Sequence, residues 1–367
     1  MKRTILSFIL LLTAMTAFAQ KPKKEILYLG TYTQKGEGIY VYEFDRSNYS
    51  FKELQVLTSK TSPSFLEFHP SKKYLYAANE GNSTVSAYAI DQTSGKLTAL
   101  NTQPAQGRGP CHVSVDPKGR FIYLSNYGSG DLAVYKLNAD GSIGALADTI
   151  QDKGRPDQKP HMHSITPSAD GKFIYASDLG IDKIMVYAVD PQTGKLTPGA
   201  VPYAEVKAGD GPRHFAIHPN GNFGYSACEL ASVVNSFKIV KGSGALVPFE
   251  RVTMLPSDFT GKSYAADIHF SPDGKFLYAS NRGHESLAIY AVDAKTGKLT
   301  VAGHADTHGK HPRNFLIDAK GEFAIVTNRD NDNAVFFKRD AATGQLTYTG
   351  KEISAPTPVC VKQLFLN

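Results

Sequence analysis

The segment from Ser62, SPSFLEFHPSKKYLYAANEGNSTVSAYAIDQTSGKLTAL, returns in outline from Gly109 as GPCHVSVDPKGRFIYLSNYGSGDLAVYKLNADGSIGAL. Each copy holds an alternating strand, a proline-marked turn, an aromatic strand ending in Asn and a Gly-containing loop. A third strand follows, then a fourth after a Thr-Gly-like turn. The pattern recurs from Lys159, Gly211, Tyr264 and His311. Prolines that end the first strand set the period: Pro70, Pro117, Pro167, Pro219 and Pro272, with Ala319 in the same role, spaced by 47, 50, 52, 53 and 47 residues. Four short strands in a repeat of about fifty residues is the signature of a β-propeller blade. In FIYLSN, Phe121, Tyr123 and Ser125 face opposite to Ile122, Leu124 and Asn126, as half-buried strands require.

Six complete copies leave two incomplete ends. ILYLGTYT, GIYVYEFD and FKELQVLT supply three strands without an inner one, and TPVCVKQLF near the C-terminus matches GPCHVSVDP proline for proline. The expected fold is therefore all-β: a seven-bladed propeller with four antiparallel strands per blade, its first blade closed by the C-terminal strand. Such closure removes exposed sheet edges. Residues 20–367 read as one propeller domain. The 19 Tyr, 20 Phe, 32 Gly and 20 Pro suit strands and turns. With no Trp in the chain, the Trp-Asp propeller repeat is absent.

The chain opens MKRTILSFILLLTAMTAFAQ: a basic start at Lys2 and Arg3, an apolar run from Ile5 to Leu12, and a small-x-small site at Ala17-Phe18-Ala19. Residues 1–19 are thus expected to be a secretory signal peptide, too short in its apolar run to span a bilayer. The expectation is an exported protein, periplasmic or extracellular, with no membrane association after signal removal. The formal charge of +6 falls to +4 without Lys2 and Arg3, and the basic residues are scattered, which argues against a nucleic-acid partner. Cys111, Cys228 and Cys360 are odd in number and far apart, and read as single buried thiols.

In a propeller the loop leading into each inner strand and the loop after each second strand open on one face. Two columns of residues should therefore meet at one channel mouth. The first reads Ser64/Phe65, Cys111/His112, His161/Met162, Arg213/His214, Ala266/Asp267, Arg313/Asn314 and Val359/Cys360. The second reads Tyr32, Asn79/Glu80, Asn126/Tyr127, Asp178/Leu179, Cys228/Glu229, Asn281/Arg282 and Asn328/Arg329. Recurring Asn is expected to cap its own turn. Asp170-Gly171, Asn220-Gly221 and Asp273-Gly274 are hairpin turns, and His69 and His218 fall at the opposite end of the inner strands.

What does not recur is the candidate site. Reactive roles are expected for His161, Arg213, Glu229 and Arg282. Substrate contacts are expected from His112, Tyr127, His163, Asp178, His214, Asp267, His284 and Arg313. His161-x-His163 offers two ligands on one strand face without a positioned third, so neither a metal nor another cofactor is expected. No G-x-S-x-G is present to supply a nucleophile elbow.

The motifs KPHMHSITP, ASDLGIDKIMVY, GPRHFAIHPNGNFGY, ASNRGHESLAIYAVD and HPRNFLID resemble those of the seven-bladed propeller lactonases, which include bacterial 6-phosphogluconolactonases and are similar to carboxy-cis,cis-muconate cyclase. The likeness runs from about Glu25 to Phe365. It implies hydrolysis of a small-molecule sugar lactone, aldono- or phosphoglucono-, with a His, two Arg and a Glu at the channel mouth. These match His161, Arg213, Arg282 and Glu229. The family's usual Asn before that Glu is Cys228 here. A lactone-forming or lactone-opening cycloisomerase and a non-enzymatic binding propeller are the alternative readings.

Overall fold

The computed structural model describes residues 24–154 and 156–366. The expected signal peptide at residues 1–19 lies outside the described residues. Among the described residues, twenty-eight strands form seven four-stranded sheets, each antiparallel, joined in chain order except at one place. There the C-terminal strand Pro358–Phe365 pairs with Glu25–Thr31 and becomes the inner strand of the first blade. We number that blade 1; blades 2 to 7 have inner strands Pro63–Phe68, Pro110–Val115, Met162–Pro167, Pro212–Ile217, Tyr264–Phe270 and Pro312–Ile317.

Closure is sealed by aromatic packing and charge. Phe44 of blade 1 lies 5.2 Å from Phe323 and 5.1 Å from Phe336 of blade 7, between ring centroids. Arg46 pairs with Glu25 in its own blade at 2.9 Å and with Asp318 across the junction at 3.0 Å. Elsewhere the repeat builds its own joints. Second-strand tyrosines donate their hydroxyls to a glycine carbonyl in the turn before the fourth strand of the next blade: Tyr28 to Gly95, Tyr76 to Gly141, Tyr225 to Gly297 and Tyr278 to Gly344. Gly297 shows why that turn demands glycine. Its φ is +74°, and a Cβ there would meet the Phe223 ring at 2.6 Å. The core lies between sheets. Each fully buried Phe or Tyr at such a joint contributes on the order of 2 kcal/mol.

One register expectation is corrected. Pro167 is not equivalent to Pro117 but is the last residue of its inner strand, paired with Ile174 as Val115 is with Ile122. The turn that follows runs from Ser168, whose N–H bonds Phe173 O as His218 N–H bonds Phe223 O. Ala169 therefore takes the proline's role. In TPSADG two residues, Ser168 and Ala169, separate the proline from Asp-Gly, and that proline belongs to the strand while the turn keeps its length. The consequence reaches the mouth, where the first column's member in blade 4 becomes His163/Ser164 instead of His161/Met162.

A β-bulge interrupts every inner strand at its mouth end. The displaced residues include Ser64, Cys111, His163, Arg213, Arg313 and Val359. Because a bulge re-aims the side chain of the extra residue, one geometry repeated seven times turns a ring of side chains toward the channel axis.

The recurring Asn, expected to cap its own turn, makes no side-chain bond to that turn's backbone and reaches instead to the preceding loop. Asn126, Asn281 and Asn328 donate 2.9 Å bonds to the carbonyls of Ala105, Met254 and Thr307, in the loops arriving from the preceding blade. At the far end, His69 and His218 each bring Nε2 to 3.1 Å from a glycine carbonyl of the next blade, Gly119 and Gly274.

Candidate active site

Glu229 follows the second strand of blade 5, and its backbone N–H bonds Gly211 O at 2.7 Å, so the loop sits against the start of its own inner strand. Two residues beyond Gly211, the bulge displaces Arg213 toward the axis. Glu229 Oε2 lies 2.8 Å from Arg213 Nε and 2.9 Å from Nη2 of Arg282, which holds the matching position in blade 6. Neighbouring backbone carbonyls fix both guanidinium groups: Ala266 O accepts from Arg213, and Tyr264 O and Ala265 O accept from Arg282. Arg213 is 1% exposed and Arg282 8%. Burial works to raise the Glu229 carboxyl, but Arg213 and Arg282 outweigh it and hold it below the usual carboxylate range. Burial, with Arg282 and Arg313 nearby, draws Arg213 down to about 9, still cationic at neutral pH.

His161 stands in the loop leading into blade 4. Its N–H bonds Asp178 Oδ1 at 2.8 Å, and its ring stacks on Tyr127 at 4.6 Å between centroids. Nδ1 lies 2.9 Å from Tyr127 O. A carbonyl only accepts, so Nδ1 carries a proton, and in the neutral ring Nε2 keeps its lone pair. Tyr127 also lies within electrostatic reach of Glu229, Arg213 and Arg282, which joins His161 to the same mouth.

Asp178 was expected to touch substrate, and the structure places it elsewhere. It occupies the recurring-Asn position, is fully buried, and accepts from the N–H groups of His161 and Gly180. Burial raises its carboxyl to about 6. Its role is to hold the His161 loop. His284 also stands apart from the cluster: its Nδ1 pairs with Ser286 Oγ at 2.6 Å, and its ring packs on Phe259. The other expected contacts do converge. His163 lies edge-on to Tyr127 and to His214, and His112 packs between Phe65 and His214.

Beneath the mouth, Asp267 accepts from His214 Nδ1 at 2.7 Å, from His269 Nε2 at 2.8 Å and from Asn314. Burial opposes its ionisation, yet His269 and His214 keep its carboxyl well below the usual range. Burial pushes His112 and His163 well below the ordinary imidazole value and His214 to about 4, so these three are neutral at physiological pH. His161 and His163 are engaged separately, His163 with its Nδ1 3.8 Å from Cys111 Sγ. Among the described residues no group of three or more His, Cys, Asp or Glu is arranged to hold a metal ion.

Two mouth residues were absent from the expected site. Tyr32 donates its hydroxyl to Glu80 Oε2 at 2.9 Å, and the Arg313 guanidinium lies 5.3 Å from the Tyr32 ring centroid. Both stand in the same column as Tyr127, Glu229 and Arg282, so their position was legible.

Cys228 is fully buried and turned away from the mouth. Its sulfur accepts from Asn235 Nδ2 at 3.2 Å, and Asn235 also donates to Asp210, which Arg251 holds from the other side.

The family model "Lactonase, 7-bladed beta-propeller" matches residues 26–363. A 6-phosphogluconolactonase of Bacillus subtilis is 36% identical over 349 residues, covering 93% of this chain and 99% of that one. A 6-phosphogluconolactonase of Formosa agariphila is 34% identical over 308 residues, covering 80% and 86%. The structure of a periplasmic gluconolactonase from Pseudomonas aeruginosa superposes with a TM-score of 0.88 at 31% identity, covering 94% of this chain and all of that one.

Proposed function

The chain belongs to the seven-bladed β-propeller lactonase family, and from that premise we propose that its mouth hydrolyses a sugar lactone with His161 as general base and Arg213 and Arg282 as electrophilic donors. The observation that carries this reading is the fixed tautomer of His161. With Nδ1–H committed to Tyr127 O, Nε2 is the free acceptor at the mouth. Glu229 is poorly suited to take a proton, because its carboxylate is stabilised between two buried guanidinium groups.

In the proposed reaction, Nε2 removes a proton from water, which attacks the lactone carbonyl. Arg213 and Arg282 keep N–H groups beyond those spent on Glu229 and the backbone, and these meet the developing oxyanion. Collapse of the tetrahedral intermediate breaks the bond to the ring oxygen, which regains the proton from His161. Glu229 holds the two cations close together at a spacing that their mutual repulsion would otherwise widen.

The substrate is proposed to be a non-phosphorylated sugar lactone, on the expectation that residues 1–19 direct export. The periplasmic gluconolactonase among the similar structures agrees with that reading.

The test is His161→Gln, which keeps a hydrogen-bonding side chain but no base. Proton release from gluconolactone, above its spontaneous rate, should fall by roughly 10²–10⁴-fold in kcat/KM, with the thermal midpoint little changed. A folded variant retaining full activity would remove His161 from the chemistry.

A further inference from the structure

Three arginines face the mouth, and two of them are occupied. Arg213 and Arg282 share Glu229, and backbone carbonyls fix each of them. The other carboxylates nearby are also engaged: Asp267 by His214, His269 and Asn314, and Glu80 by the Tyr32 hydroxyl. Basic groups at the outer rim carry their own partners, Arg329 with Asp330 and Lys35 with Asp332.

Arg313 differs. It is displaced toward the axis by the bulge in blade 7. Its guanidinium lies over the Tyr32 ring, and among the described residues it has neither an ion-pair partner nor a hydrogen-bond acceptor. The ring fixes the plane of the group while leaving its N–H edges unspent. Glu80 and Glu229 steady its charge through space but neither bonds it, so its open N–H edges are a ready receptor for an anion. A guanidinium edge matches a carboxylate in two parallel bonds.

We propose that Arg313 is the carboxylate-binding group of the mouth: it receives a carboxylate substituent of the lactone, away from the ester carbonyl, and selects carboxylated sugar lactones over neutral ones. This rests on the lactonase reading above. The carboxylate class follows from there being one unpaired guanidinium at this place. A phosphate dianion calls for more charge than Arg313 alone supplies, and Glu80, held on the same tyrosine, stands against a second negative charge.

The experiment compares the full chain with Arg313→Gln and Arg313→Lys on gluconolactone, glucarolactone and phosphogluconolactone, following proton release. The unsubstituted chain should favour glucarolactone. Arg313→Gln should cut the glucarolactone-to-gluconolactone ratio of kcat/KM by about ten- to a hundredfold, the range for a charge-assisted pair, chiefly through KM. Arg313→Lys should restore part of it, as charge without the planar edge. Equal losses on the neutral and carboxylated lactones would overturn the assignment, as would no initial preference or a preference for the phosphorylated lactone. If no lactone is turned over, the lactonase reading fails on its own. Calorimetry with glucarate then decides the subsite: binding weakened tenfold or more by Arg313→Gln supports it, and equal or absent binding overturns it.

Discussion

The two ends of the propeller channel use the same residue types for different ends. At the far end His218 is clamped between its own turn and Gly274 O, and His69 repeats the arrangement with Gly119. At the mouth, His161, His163 and His214 differ in position and partner, and none repeats another's bonding. The backbone explains the contrast. In blades 3 to 7 the far-end turns are tight hairpins with a glycine at positive φ, and in blade 2 Lys72 takes that conformation at φ +60°. The mouth ends carry bulges, which fix where a side chain points but leave its identity free. A repeated scaffold thus confines variation to one rim, and the chemistry is found where the copies disagree.

The largest effect that would break this contrast comes from Arg213→Met. We expect kcat/KM to fall by about 10²–10³-fold, the range for loss of one donor to an oxyanion. The thermal midpoint should fall as well, because Glu229 would lose one of the two cations that offset its burial. Arg213→Lys, which keeps the charge but not the planar donors, should recover much of the stability without recovering activity, measured by calorimetric melting beside the proton-release assay. Recovery of both would make the ion pair scaffold and erase the distinction between the ends.

His218→Ala probes the far end and should do the reverse. Losing the bonds to Gly274 O and to the Asn220 N–H should cost about 1–2 kcal/mol of stability in urea unfolding, with kcat/KM unchanged. A drop in kcat/KM at full folding would show that the channel transmits strain between its ends.

How much of this was legible in the sequence follows the same division. Blade number, closure by Pro358–Phe365 and the two converging columns could be read, because period, alternation and turn residues are local signals. The blade 4 register could not, because Pro167 resembles the turn prolines in type while its strand partner, Ile174, is set by pairing across the sheet. Asp178 was misplaced for a related reason. A carboxylate in a column of asparagines looks like a departure with chemical purpose, yet its backbone bonds do the work of the Asn it replaces, orienting a loop. His284 shares its loop with Arg282, but its ring turns outward to Phe259, a direction sequence spacing does not encode. Bulges, which aim Arg213 and Arg313, leave no mark in a single sequence.

The smallest expected effect tests whether the layer behind the mouth belongs to the mouth or to the scaffold. Cys228 stands where blades 2, 3, 6 and 7 carry Asn, immediately before Glu229, so a role in tuning that carboxylate is the natural suspicion. Its side chain argues otherwise. It points into the blade, where Asn235 donates to its sulfur and to Asp210, while Glu229 faces Arg213 and Arg282. In blades 3, 6 and 7 the equivalent Asn ties its strand to the loop from the preceding blade. In blade 5 the Asp210–Arg251 pair and Asn235 hold that loop instead. Cys228→Asn should therefore move stability by no more than about 1 kcal/mol, the size of one exchanged hydrogen bond, and kcat/KM by less than about threefold, well under 1 kcal/mol. A change of thirtyfold or more in kcat/KM would place the residue behind Glu229 within the reacting machinery, and the boundary between variable rim and repeated scaffold would then lie one residue deeper than the bonding shows.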